Sequence, residues 1–156
     1  MKDFNFLRFA NFLAEEGSII AIFYYNALLD KEHNPEKYES QKKFFEKLNQ
    51  IPHFHLILCK LLKRTISGTN DFYYILKEDD IHMAVDMVEN AYEDNFDISI
   101  LVSGDGDFVP AVNSVKKKGK WVKNIYFKNS SSRKLKYFCD ESLELTKEVL
   151  DTFFED

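Results

Sequence analysis

Long apolar runs are missing from this chain. No window approaches the roughly 18 apolar residues that a membrane-spanning helix needs, which excludes a helical span. The start, Lys2-Asp3 and then an amphipathic pattern, does not have the form of a secretory signal. Cysteine is scarce. Cys59 and Cys139 stand far apart, without the paired spacing of a disulfide framework or a zinc site, and a reducing, cytoplasmic setting is expected. An excess of positive charge is lacking too: 21 Lys and Arg against 26 Asp and Glu leave a net charge of −5. That argues against a nonspecific nucleic-acid coat, but not against a nuclease whose acidic pocket adjoins a local basic strip. The histidines (His33, His53, His55 and His82) form no ligand pair at helical spacing near acidic groups, so a zinc hydrolase is disfavoured. There is no GxxxxGK[ST], GxGxxG or GxSxG, which removes the commonest NTPase, dinucleotide and serine-hydrolase readings. No repeat, low-complexity tract or linker divides the 156 residues, and a single domain over 1–156 with its own core is expected.

What is present is aromatic weight and an alternation of element types. Fifteen Phe and eight Tyr imply a bulky core, with rings to spare for stacking on bases. Helical spacing predicts a first helix over 3–16, capped by Asp3 and stopped by Gly17. A continuous apolar run predicts a strand over 19–25, and a second apolar strand is expected over 54–62, ending among the basic Lys60, Lys63 and Arg64. Between them a polar loop over 30–36 leads into a helix over 36–49, with Phe44, Phe45 and Leu48 inward. A turn over 67–70 precedes a short edge strand over 72–76, and a helix is expected over 80–93. Strand 98–102, a helix from about 108 to 118 stopped by Gly119, and strand 121–127 follow. A serine loop, a short helical piece up to Asp140 and a closing helix over 145–154 complete the chain. Such βαβ alternation with short loops implies an α/β fold, a mostly parallel sheet sandwiched between helices.

Chemistry concentrates where strand 98–102 stops at Ser103-Gly104-Asp105-Gly106-Asp107-Phe108. The carboxyl edge of an open α/β sheet is where such sheets bind ligands. Two carboxylates there repel one another unless something positive sits between them. A divalent metal site is one reading; Asp107 as a helix cap beside a solvated Asp105 is the other. Asp79 and Asp80 open a helix, where capping and the helix dipole also account for acids. Asp86 lies six residues beyond Asp80, about 240° around a helix. Asp140-Glu141 reads as a solvated loop. Oxygen-only donors favour Mg²⁺ or Mn²⁺. Lys116, Lys117, Lys118 and Lys120 gather at a helix end, where cations are stabilising in any case. Ser130 to Arg133 suits a phosphate backbone better, through hydroxyls and a guanidinium.

The stretch Ser103 to Pro110, followed by Gly119-Lys120-Trp121-Val122, resembles the SGDxDF…P…GK.V signature of NYN domains, PIN-like metal-dependent ribonucleases that include the LabA-like proteins. Lys77 to Asp86 resembles the K-x-x-D-V-x-x-A-x-D segment that precedes it. Tyr24-Tyr25 with Ala27 sit where such domains carry a double tyrosine, and Ser132, Leu135 and Asp140-Glu141 resemble their S…L…ADEF tail. The resemblance implies a three-layer, Rossmann-like PIN domain with sheet order 3-2-1-4-5. It implies RNA as the substrate and one or two Mg²⁺ or Mn²⁺ ions. Asp80, Asp105 and Asp107 would be catalytic and would bind the metal, with Asp86 a further acidic ligand position. Ser103, Lys77, Ser132 and Arg133 would contact the substrate.

One element of the family pattern is missing. Its first strand ends in D-G-x-N, and nothing here supplies that strand or its aspartate; Asp3-Phe4-Asn5 has no apolar run before it. A shortened N-terminus is one explanation, a degenerate domain with a partner strand in the slot the other. An incomplete sheet would leave strands 19–25 and 98–102 with unpaired edges and would favour a homodimer. Two other readings stay open: an RNA- or protein-binding domain that kept the fold and lost the chemistry, and a phosphatase of the haloacid-dehalogenase type, whose DxDx[TV] Asp105 to Val109 also matches.

Overall fold

The structure is a computed structural model that describes residues 3–155. In chain order its elements are β1 (Asp3–Phe4), α1 (Phe6–Ala14), β2 (Ile22–Asn26), α2 (Pro35–Leu48), β3 (Phe54–Leu58), β4 (Lys60–Thr65), β5 (Phe72–Lys77), α3 (Asp79–Tyr92), β6 (Ile98–Val102), a single 3-10 turn (Gly106–Phe108), α4 (Val109–Lys117), β7 (Trp121–Tyr126), α5 (Arg133–Phe138), β8 (Glu141–Glu144), α6 (Lys147–Asp151) and β9 (Phe154–Glu155). The fold is mixed α/β, and three of its strand pairs are parallel: β2 with β3, β6 with β7, and β7 with β8. The chain forms two compact units, one of residues 1–20 and 84–156, the other of residues 21–83.

The larger unit is organised by β7. This strand runs parallel to β6 on one side and β8 on the other, with Leu101 opposite Asn124 and Ile125 opposite Leu143. Val122 and Ile125 are fully buried, as expected for a central parallel strand. Ile125 packs with Leu13 of α1 and with Leu145, and Phe9, Ile100, Val149 and Leu150 close around them. Helix α4 adds Val109, Ala111, Val112 and Val115, all buried and spaced at three and four residues. Gly119 follows it in the left-handed region (φ 76°), where a helix stops most cheaply on glycine. The first helix is shorter than its spacing suggests because Asn5, not Asp3, caps it by accepting from the Arg8 N–H at 2.9 Å. Asp3 and Phe4 pair instead with β9 in a two-residue antiparallel ladder. Phe4, Phe9 and Phe153 meet edge to face around that ladder.

In the smaller unit, β2 and β3 are parallel in register Ile22 to Phe54 through Asn26 to Leu58. The apolar run expected as one strand over 54–62 is two. Cys59 donates its N–H to Asn26 at 2.7 Å and ends the parallel ladder, and Lys60 begins an antiparallel ribbon with β5. Phe45 and Leu48 of α2 are buried as their spacing implies, with Asn34 capping that helix at Lys37 N (2.9 Å). Among the described residues β2 is paired with β3 alone, and β6 with β7 alone.

Asp140-Glu141 is not a solvated loop; it joins β8 to its surroundings. Asp140 accepts from the Val122 N–H at 2.8 Å and meets the Lys116 ammonium at 2.9 Å. Glu141 lies 3.2 Å from Lys123, which is itself buried and also paired with Glu15 at 2.6 Å. Burial pushes the Asp140 carboxyl up, but the Val122 N–H and Lys116 together outweigh it and hold the group below the ordinary carboxylate range. A carboxylate so lowered stabilises the fold above its unfolded value of about 3.9 and loses that contribution as pH falls through the folded value. Asp140→Asn is therefore expected to cost stability at about pH 6, with the difference from wild type closing as pH drops toward about 3. Urea midpoints measured across that range check this.

Candidate functional site

The turn after β6 is built by a chain of short hydrogen bonds. Ser103 continues the ladder by donating its N–H to Ile125 O at 3.0 Å. Its hydroxyl oxygen accepts from Asp105 N at 3.1 Å, and Asp105 Oδ1 accepts from Asp107 N at 2.8 Å. Asp105 thus caps the 3-10 turn Gly106–Phe108, where one of the two sequence readings has Asp107 as the cap. Phe108 and Val109 are buried and anchor the far side of the turn, and Pro110 sits in the first turn of α4, where a missing N–H costs nothing. Asp105 and Asp107 stay exposed on this framework, both at the start of a helical segment, where the dipole favours negative charge.

Two glycines let a second loop close on the turn. A Cβ at Gly104 would lie 1.8 Å from Ser130 O, and one at Gly106 would lie 2.7 Å from Ser132 Oγ. The serine loop is therefore packed directly on the SGDGD turn. Ser130 bonds back to Phe127 O at 2.9 Å, and Ser132 Oγ caps α5 by accepting from Leu135 N at 3.2 Å. Arg133 opens α5 and is exposed. The structure thus brings Ser103, Asp105, Asp107, Ser132 and Arg133 into one neighbourhood. Asp80 and Asp86 lie on α3, Asp80 exposed in its first turn and Asp86 half-buried. Lys77 ends β5 and is exposed.

Asn124 escaped the sequence reading. It is 1% exposed, and its Nδ2 donates to Ser103 O at 2.8 Å and to Leu101 O at 3.2 Å, so it ties the end of β6 to the centre of β7. Its Oδ1 is buried and has no hydrogen-bond partner among the described residues. The available signal was an amide in mid-strand (Trp121-Val122-Lys123-Asn124-Ile125-Tyr126), since a polar side chain at a buried strand position needs a reason. The lysines at the end of α4 are structural pins: Lys116 holds Phe138 O at 2.8 Å as well as Asp140, and Lys120 pairs with Asp94. Neither cysteine is primed as a nucleophile. Burial pushes the Cys139 thiol up to about 11, against the pull of Lys116, and burial likewise raises Cys59.

The donor set at the turn is of hard oxygen type. Among the described residues no group of three or more His, Cys, Asp or Glu side chains converges as a cage. One or two carboxylates nevertheless meet the usual demand of Mg²⁺, which keeps several waters and shares substrate phosphates. Asp105 and Asp107 fit that demand.

A family model for the NYN domain matches residues 1–146. That match is to the NYN family and not to the haloacid-dehalogenase phosphatases. No curated protein matches the chain. Among solved structures, a crystal structure of a protein of unknown function from Vibrio parahaemolyticus RIMD 2210633 is similar, with 22% identity and a TM-score of 0.66. The similarity covers 99% of this chain and 83% of that one, and it shows a shared fold.

Gly104→Ala is expected to destabilise the larger unit by several kcal/mol, because the obstructing atom is a main-chain carbonyl that cannot rotate away. Gly119→Ala meets nothing within 4 Å and carries only the strain of a positive φ, on the order of 1 kcal/mol. Comparing the two urea melts checks whether contact with the serine loop, and not glycine as such, is what position 104 requires.

Proposed function

Because the chain belongs to the NYN domain family, whose members are generally ribonucleases of the PIN-like superfamily, we propose that it hydrolyses RNA phosphodiester bonds with a bound Mg²⁺ or Mn²⁺. The observation that carries this reading is the Asp105/Asp107 pair, presented on a turn rigidly tied to β7 and to the serine loop. Such a cation supplies water activation and offsets charge at the scissile phosphate. Asp105 has one oxygen committed to Asp107 N and a second available to the cation. Asp107 contributes the neighbouring carboxylate, and Asp80 and Asp86 are the further acidic positions that the family pattern assigns. The hydroxyl oxygens of Ser103 and Ser132 accept from main-chain N–H groups, which leaves each hydroxyl proton free to donate to a phosphate oxygen. Arg133 supplies a guanidinium of the geometry that grips phosphate in a bidentate way, and Lys77 is the cation at the head of the acidic segment that resembles the family pattern.

A domain that binds RNA or protein without cutting is the second reading. It draws on the structural employment of Asp105 and Ser103, whose hydrogen bonds justify both residues without any chemistry.

Asp105→Asn separates the two readings. The amide oxygen still caps the turn, so the fold is kept while the charge is lost. Metal-dependent cleavage of labelled RNA is expected to fall more than about a hundredfold, because a metal contributes several kcal/mol and each tenfold in rate is about 1.4 kcal/mol. Wild-type protein that binds RNA and leaves it intact with Mn²⁺ present would establish the binding reading instead.

A further inference from the structure

The ribbon of β4 and β5 has two unlike faces. Its register sets Lys60 opposite Lys77, Leu62 opposite Ile75 and Arg64 opposite Tyr73, and strand alternation puts these six on one side. The other side is partly covered. There Tyr74 donates to Asp30 at 2.6 Å, Phe72 meets His33 edge to face, and the Lys63 ammonium sits 4.0 Å over the Phe72 ring. On the first side only Ile75 is half-buried, and Tyr73 is 51% exposed.

That open face is electrostatically one-sided. Three of its six residues are cations and none is a carboxylate, in a chain of net charge −5. Lys60 and Lys77 lie directly opposite one another, an arrangement that costs stability in a ladder. Glu78 relieves Lys60 at 2.6 Å, whereas Arg64 and Lys77 have no ion pair among the described residues. Surface tyrosines and cations are each commonplace. Here a register pairs an exposed ring with an unpaired guanidinium and places a second unpaired cation four residues along the same strand, about 13 Å away. Leu62 and Ile75 form the apolar floor between. Single-stranded nucleic acid answers both halves of this pattern, since its bases stack on aromatic rings and its phosphates take cations. An acidic protein segment would answer only the cationic half.

We propose that this face of the β4–β5 ribbon is a platform for single-stranded RNA, with Tyr73 stacking a base and Arg64 and Lys77 holding the flanking phosphates. The proposal rests on the ribonuclease reading above and extends it to a substrate class: RNA unpaired over at least a few nucleotides.

Fluorescence anisotropy with a labelled single-stranded RNA of about a dozen nucleotides, in chelator so that nothing is cut, tests it on the full chain. Tyr73→Ala is expected to weaken binding about tenfold, Tyr73→Phe to restore it, and a duplex of the same sequence to bind less tightly. Arg64→Gln and Lys77→Gln are each expected to lower the salt slope of binding by about 0.7. Unchanged affinity in Tyr73→Ala, or unchanged slopes in both glutamine variants, overturns the platform. So does loss of binding to an acidic polypeptide in the glutamine variants with RNA affinity untouched, which would mark a protein-docking face. Cleavage with Mn²⁺ is scored separately. If Tyr73→Ala binds normally while Asp105→Asn abolishes cutting, the platform falls and the nuclease stands. Tyr73-dependent binding without cutting has the opposite meaning.

Discussion

The carbonyl of Ser130 occupies the space that a side chain at position 104 would need, and the candidate site depends on that contact. It brings two loops against one another whose contact at Gly104 and Ser130 joins residues 26 positions apart in sequence, main chain on main chain. Once they are in contact, each bond of the turn has its place: Ser103 to Asp105, Asp105 to Asp107, and Ser132 to the start of α5. Backbone contact of this kind tolerates no compromise, because a main-chain atom has no rotamer by which to withdraw. The two glycines of the turn are thus selected by space, and neither has a positive φ.

Beneath the turn lies a polar layer in an otherwise apolar strand. Lys123 and Asn124 are both nearly inaccessible in β7, yet each is engaged: the lysine by Glu15 and Glu141, the asparagine by the carbonyls that end β6. Desolvation disfavours the Lys123 ammonium, and its two carboxylates more than compensate, so the group remains charged. Buried polar groups specify more than they stabilise when every partner must be in place. Here they set which carbonyls lie where at the strand end, and so where the acidic turn begins.

Much of the element order was legible because periodicity reports burial directly. The apolar strand 98–102, the α4 face of Val109, Ala111, Val112 and Val115, and the glycine stop at 119 all follow from spacing. The misreadings share one cause. At Cys59 a mostly apolar stretch changes partner from β2 to β5, and hydropathy carries no mark of which neighbour a strand chooses. Asp140 and Glu141 look solvated in a polar stretch, but their partners Val122, Lys116 and Lys123 are 18 to 24 positions away in sequence. Asp3 precedes an amphipathic run as a cap does, but Asn5 takes that role because residues 3 and 4 are claimed by a strand at the other end of the chain.

By itself the sequence determined the α/β alternation, the family signature and the acidic residues available for chemistry, since these depend on local pattern and residue type. Only the tertiary structure decided that Asp105 caps the turn, that the serine loop packs onto Gly104 and Gly106, that Asn124 underpins the strand end, and that the β4–β5 ribbon keeps one cationic face open. Those outcomes turn on contacts between distant segments, whose partners are chosen by shape and hydrogen-bond satisfaction when the chain closes on itself, and no local pattern encodes that choice.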